Sequence, residues 1–236
     1  MEIYIYGDKR NAPDDLLPYA GAFETAVVTI DFHEGHLSED PGCPCPAPRM
    51  RQLIEPINAF HQRARDLQIP IIHVKTVLRK DGSDDLGGGV AAWRRLFPLL
   101  VGDIPNIDQH AIEGTKWTEF SNHVDPSDHI VQTKKRLSIF YPTDLDFLLR
   151  NLRVRNLVLT GGMTDCCILN AAFEASNHDY RVIVLQDLVR GLNDDMEDAA
   201  LKMMSIYTGL VMDSDDLLAE WELQNSVKKS AHASTA

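Results

Sequence analysis

A carboxylate, an ammonium and a thiol make a nucleophilic set when a fold brings them together. A thiol attacks well only as the thiolate, so its surroundings must lower its pKa or take its proton. In this chain the candidates are Asp31, Lys134 and Cys167. Asp31 ends the β-branched run Ala26-Val27-Val28-Thr29-Ile30, and Lys134 lies just past His129-Ile130-Val131-Gln132. Cys167 follows Asn156-Leu157-Val158-Leu159-Thr160 across the turn Thr160-Gly161-Gly162-Met163-Thr164-Asp165. That turn leads into a helix expected to start near Cys167, whose N-terminus favours a thiolate. An ammonium at Lys134 would stabilise it further, and Asp31 can take the thiol proton and pass it to a departing amine. Backbone N–H groups around Met163 and Cys167 are the expected donors to an oxyanion, each worth about 3 kcal/mol.

Taken singly, each residue has a plainer reading. An Asp at a strand end is commonly a cap, a Lys in a polar loop is solvated, and a Cys on a helix is a small core residue. The three in this order, on one edge of a sheet, carry the argument.

The elements that must position them are legible as alternating strand and helix patterns. Pro70-Ile71-Ile72-His73-Val74 and Arg181-Val182-Ile183-Val184-Leu185 join the three runs above as strands buried on both faces. Helical spacing marks Met50 to Leu67, Asp144 to Leu152, Ile168 to Ser176 and Met196 to Tyr207. The alternation predicts an α/β fold, a doubly wound and mostly parallel sheet with helices on both faces in three layers. In such sheets reactive groups gather at the carboxyl ends of the strands. Leu78 to Thr118, with Gly87-Gly88-Gly89, Trp93 and Trp117, is predicted to be a long excursion, either a lid or oligomer contact or a surface insertion. A single domain over 1–236 is expected, with its core at about 25–214 and a disordered polar tail over 225–236.

Bulk properties exclude several classes. A formal net charge of -12 argues against nucleic acid and anionic membranes as partners, since both reward clustered Lys and Arg. No apolar run reaches the roughly 20 residues that span a bilayer. The opening Met-Glu-Ile-Tyr-Ile-Tyr lacks the form of a secretory signal, so a cytoplasmic location is expected. Cys43, Cys45, Cys166 and Cys167 do not make a disulfide framework. Cys43-Pro44-Cys45 is closer-spaced than usual zinc ligands and reads as a loop feature.

The segments Val27–Phe32, Lys134–Phe140 and Thr160–Cys167 resemble the isochorismatase-like cysteine hydrolase superfamily, and the resemblance runs from about Thr25 to Ser214. It includes N-carbamoylsarcosine amidohydrolase, ureidoacrylate amidohydrolase and biuret hydrolase. The resemblance implies that Asp31, Lys134 and Cys167 form its catalytic triad. The pattern Lys-x-x-x-Ser-x-Phe selects Lys134 over Lys135, and Thr-Gly-x-x-Thr-Asx-x-Cys selects Cys167 over Cys166. It also implies a cis peptide between Gly162 and Met163. Nicotinamidases of this superfamily carry a metal motif after the second strand, which Val74–Arg79 lacks; true isochorismatases lack the cysteine. What the resemblance leaves is cleavage of a C–N bond in a small ureido, carbamoyl or amide substrate through a thioester, with no cofactor. Hydrolysis of an ester-type bond and a silent binding homologue are the alternatives.

The pocket is expected near Phe32, His33, Trp93, Trp117, Leu137 and Phe140. Arg94, Arg95 or Arg136 can fork onto a substrate carboxylate. His33, Glu34 and His36, directly after Asp31, can hold a metal, shape substrate binding or serve as polar loop residues; no metal is assigned to them. The resemblance further implies a homo-oligomer, a dimer or tetramer.

Overall fold

The structure, a computed structural model, describes residues 1–85 and 91–233. The five apolar runs form five strands of one eight-stranded sheet. An N-terminal hairpin, β1 (Glu2–Ile5) and β2 (Asp8–Asn11), comes first. Then follow β3 (Thr25–Ile30), β4 (Ile71–Thr76), β5 (His129–Lys134), β6 (Asn156–Gly162), β7 (Arg181–Arg190) and β8 (Gly209–Met212). The order across the sheet is β2-β1-β8-β7-β6-β3-β4-β5. Strands β3 to β8 run parallel, while β1 pairs antiparallel with β2 and β8. The chain leaves β3 toward β4 and β5, then returns to the other side of β3 as β6. The point where the winding reverses therefore lies between β3 and β6, where such folds place their ligands.

Successive residues of β3 face opposite cores, which is why the run reads as continuously apolar. Ala26, Val28 and Ile30 enter one cluster with Leu145 and Leu149 of α4 (Leu145–Asn151), Ala171 and Ala172 of α5 (Leu169–Asn177), and Met204 of α6 (Asp194–Tyr207). Val27 enters the other with Ile57 and Phe60 of α2 (Ile54–Asp66) and Trp221 of α7 (Ser214–Ala233). Three layers result, as the strand and helix alternation predicts. Trp221 is completely buried, and truncating such a side chain typically costs about 3–5 kcal/mol.

Three features depart from the sequence reading. The hairpin and β8 carry little signal, because β2 is wholly exposed and β8 has only four residues. The helix expected from Met50 begins as a 3-10 turn, Pro48–Leu53, before α2. Residues 225–233, expected to be disordered, continue helix α7. Leu217, Leu218 and Trp221 dock its first half, and Gln224 ties it to Ala20 and Ala22. With no Gly or Pro from Asn225 to Ala233, a helix nucleated by packing simply propagates.

The 78–118 excursion holds a helix of its own, α3 (Trp93–Val101), and is pinned where Leu78 bridges Ile112. The Gly87-Gly88-Gly89 stretch lies outside the described residues. Among the described residues no helix is long and apolar enough to cross a membrane.

Candidate active site

Asp31 is the first residue past β3, and its backbone takes the left-handed conformation at φ 51°. Non-glycine residues rarely adopt that region, at a cost of order 1 kcal/mol, and they do so mainly where a side chain must be aimed. Here the carboxylate turns into the sheet edge. Its Oδ1 accepts from both the backbone N–H and the hydroxyl of Thr76, each at 2.9 Å. Its Oδ2 accepts from Lys134 Nζ at 2.6 Å. The β4–β5 register shifts between Val74 and Thr76, so that Thr76 pairs with Lys134. A bulge of this kind re-aims side chains at a strand end, and it sets both residues toward Asp31.

Lys134 is 2% exposed, and an ammonium so buried must spend all three protons on acceptors. One goes to Asp31, one to Thr76 Oγ1 at 2.8 Å, and one to Cys167 Sγ at 3.4 Å. Since Thr76 gives its own proton to Asp31, it can only accept from Lys134. The sulfur likewise stands in an acceptor position, the one a thiolate fills best.

Electrostatics follows from this packing. Burial alone would raise the Asp31 carboxyl, but Lys134, His33 and His36 outweigh it and hold it well below the usual carboxylate range. Burial pulls on Lys134 in the opposite sense, and Asp31 and Cys167 overcome it, leaving the amine more basic than usual. The adjacent Cys166 side chain and burial push the Cys167 thiol up, while Lys134 pulls it down; Cys167 in turn lowers Cys166. The ammonium makes its direct contact with Cys167 Sγ, so contact geometry favours charge there.

The turn that carries the sulfur is tightly constrained. At Gly161, φ is 100°, and a Cβ would sit 2.4 Å from the Ile30 carbonyl oxygen of the neighbouring strand. Only glycine fits. The Gly162–Met163 peptide is cis, as the resemblance implied. Thr164–Ile168 then forms a π-helical turn leading into α5, in place of the regular helix start expected. The Met163 carbonyl accepts from the backbone N–H of both Cys166 and Ile168. Asp165 secures the turn from outside by accepting from Leu192 N at 2.8 Å. On β5's side, Ser138 Oγ accepts from Phe140 N and Tyr141 N, closing the loop after Lys134.

A cavity of about 580 Å³ opens over these groups, with Asp31, Lys134, Cys167 and Met163 on its lining. Trp93 and Leu137 line it as expected. Phe32, Trp117 and Phe140 do not. Phe32 is packed into the α2 and α7 core, and Phe140 stacks on His178 at 4.7 Å between ring centres. Trp117 is buried beneath the Lys116 ammonium. Large aromatic faces gain more from core burial than from a wet pocket. His33 is also wholly buried, behind His36 and His110, which do reach the cavity. Glu34 turns away to accept from Ser121 Oγ. Of the three arginines considered, Arg94 and Arg136 line the cavity, and only Arg94 is buried. Sequence reasoning missed Thr76 and His110. Nothing marks a threonine at a strand end, and His110 lies within an excursion with no pattern to place it.

Fold and site together define a three-layer α/β hydrolase with its polar constellation at the winding reversal. The chain belongs to the isochorismatase domain family, whose family model matches residues 25–216. Maleamate amidohydrolase of Pseudomonas putida is 29% identical over 196 residues, covering 83% of this chain and 85% of the relative. N-carbamoylsarcosine amidase of Arthrobacter is 24% identical over 169 residues; the match covers 70% of this chain and 58% of that protein's length. A cysteine hydrolase of Pseudomonas syringae superposes with TM-score 0.73 at 23% identity, covering 85% of this chain and 93% of its own, a likeness of fold. The protein is an amidohydrolase acting on carbon–nitrogen bonds other than peptide bonds.

Proposed function

We propose that the protein hydrolyses a small ureido, carbamoyl or amide compound through a thioester on Cys167, with Asp31 and Lys134 as its catalytic partners. One observation carries the reading. A buried ammonium divides its protons among Asp31, Thr76 and the sulfur of Cys167, on the floor of the cavity.

In the first half-reaction the sulfur attacks the substrate carbonyl carbon, and the thiol proton passes to Asp31. Lys134 stabilises the sulfur's charge until the C–S bond forms. The carbonyl oxygen takes up negative charge beside the backbone of Met163 and Cys167. A carboxyl held as low as Asp31 surrenders its proton readily, so it delivers it to the departing nitrogen as the C–N bond breaks. In the second half, water gives its proton to Asp31, attacks the thioester and expels the thiolate. The products are an acid and ammonia or an amine.

Arg94 suits a carboxylate on the substrate. It is 8% exposed and lines the cavity, its Nη1 paired with the Asp85 carboxylate and its Nε left without a hydrogen-bond partner. Composition and kinship add a cytoplasmic setting and a homo-oligomer to this reading.

The test is ammonia release from a panel of ureido, carbamoyl and amide compounds, with the active compound then mixed rapidly and the protein weighed intact. An acyl adduct on a peptide containing Cys167, missing in Cys167→Ala and retained in Cys166→Ala, is the expected result. Undiminished turnover by Cys167→Ala overturns it.

A further inference from the structure

Three imidazoles converge beside the site, from parts of the chain the triad does not use. His33 is the N-cap of α1 (Glu34–Leu37), His36 lies within α1, and His110 comes from the far end of the excursion. Ring centres are 4.7 Å apart for His33 and His36, 4.9 Å for His36 and His110, and 6.0 Å for His33 and His110. One nitrogen from each ring lies within 4.8 Å of the others.

Their hydrogen bonds decide which nitrogens are free. His36 Nδ1 lies 2.9 Å from the carbonyl of Cys45, which can only accept, so Nδ1 carries the proton and Nε2 holds a lone pair. His36 Nε2 therefore accepts from His110 Nε2 at 3.3 Å in the ion-free site, and an ion between them takes the place of that proton as the His110 ring moves it to Nδ1. A tetrahedral ion with bonds of about 2.0–2.1 Å sets its nitrogens about 3.4 Å apart. His33 is completely buried, and its Nε2 has no partner. An orphaned nitrogen in a buried site ordinarily costs about 1–3 kcal/mol and calls for an explanation. His33 Nδ1 accepts from the Gly35 N–H at 3.2 Å, so in the ion-free ring the proton sits on Nε2. An ion at Nε2 shifts that proton to Nδ1, on the side of the Trp117 carbonyl, the outer support that holds a histidine on a metal. Gly35 makes that approach possible: a Cβ there would sit 2.8 Å from the same carbonyl oxygen and 2.9 Å from His33 Nδ1.

We propose that His33, His36 and His110 bind one divalent zinc-type ion, with a fourth position open toward the cavity for an electron-rich group of the substrate. Three imidazoles and one exchangeable position are an ordinary catalytic zinc arrangement. Three uncharged imidazoles bring no charge of their own to the ion. The neutral set leaves the ion's charge to be balanced from nearby, and Asp31 Oδ1 lies 3.8 Å from His33 Nε2. His36 and His110 both line the cavity, so the open position is within reach of a bound molecule. This inference replaces the expectation that no metal is held, with His110 in place of Glu34.

The test is metal content, which does not depend on turnover. Full-length protein is stripped with chelator, dialysed against zinc ions, and assayed by elemental analysis alongside His110→Ala and His33→Ala. About one zinc per chain is expected for the parent protein, and under about a tenth of that for each variant. Because Cys166 and Cys167 can also take zinc, the stripped parent is loaded separately with cobalt(II). Visible d–d bands without a sulfur-to-cobalt charge-transfer band support the imidazole site; a strong sulfur band, or no uptake, overturns it. The cobalt spectrum needs no substitution, so it decides the matter even if a variant fails to fold. An acyl adduct on Cys167 with no bound metal would sink this inference alone and leave the proposed hydrolysis standing.

Discussion

An ion pair withdrawn from solvent to a different depth sits at each end of strand β5, and the two pairs behave differently. At its start Asp128 takes both prongs of Arg65 at 2.9 and 2.6 Å, His73 Nε2 at 2.9 Å and the backbone N–H of Asp125 at 2.9 Å. Four donors meet that carboxylate, one at Oδ1 and three at Oδ2, and the cluster closes on itself. At its end Lys134 and Asp31 make a more deeply buried pair, and the third ammonium proton points at a thiol under a cavity. A charged pair does not by itself mark a site. What sets the Lys134 end apart is a network that opens onto a cavity.

The sharpest way to break this comparison is to remove that thiol. Cys167→Ala should lower turnover by roughly 10⁴-fold or more, with a shift in urea midpoint small beside that of Lys134→Met, since alanine keeps the Cβ and strands no charge. Lys134→Met should cost roughly 10³-fold in kcat/KM and also destabilise, because it strands Asp31 as a lone buried charge. Arg65→Met asks the same question of the other end. About 3 kcal/mol of stability should go, which is roughly 6–12 °C in melting temperature for a domain of this size, with kcat kept in the folded fraction. A kcat loss equal to that of Lys134→Met would erase the distinction between the two ends. Thr76→Val is milder. It removes one donor to Asp31 and one acceptor for Lys134, so a ten- to hundredfold drop in kcat with KM little changed is expected, about 1–3 kcal/mol.

The smallest effect is on pH dependence. His61, packed against His73 and bonded to Thr29, is held at about 3 by burial first and by His73 and Arg65 next. Its unfolded value is 6.5, so the unfolded chain binds the proton first. Stability is then fully present above pH 6.5 and falls as pH drops toward 3, by up to about 1.4 kcal/mol per pH unit from this one ring. Urea midpoints at pH 7 and pH 5 for the parent and His61→Gln should show a shallower decline in the variant. Identical slopes would rule His61 out as a contributor.

The reactive end of the sheet was legible in the sequence because its members sit at places with strong local signals. Val27 to Ile30 reads as a two-sided buried strand, so the position of Asp31 at its end follows. The same holds for Cys167 after Asn156–Thr160. Lys134, expected just past its strand, is instead the last residue of β5. Residues whose role depends on tertiary contact gave no such signal. Thr76 is chosen by a bulge between β4 and β5, and His110 by the path of the excursion. Phe32, Trp117 and Phe140 were misread because a large ring near a reactive residue in sequence can face either the pocket or the core. The tail from Asn225 onward was misread as well, because polar composition hid a helix anchored by Trp221 upstream.

The segment between β4 and β5 leads to a last consequence. It supplies Trp93, Arg94 and His110 to the cavity wall, while the reacting groups stand on the sheet or its immediate turns. Part of the wall a substrate would meet thus stands on a stretch of chain apart from the triad. Exchanging 78–118 for the corresponding stretch of a relative would show whether substrate preference travels with it, and would also take His110 from the proposed ion site.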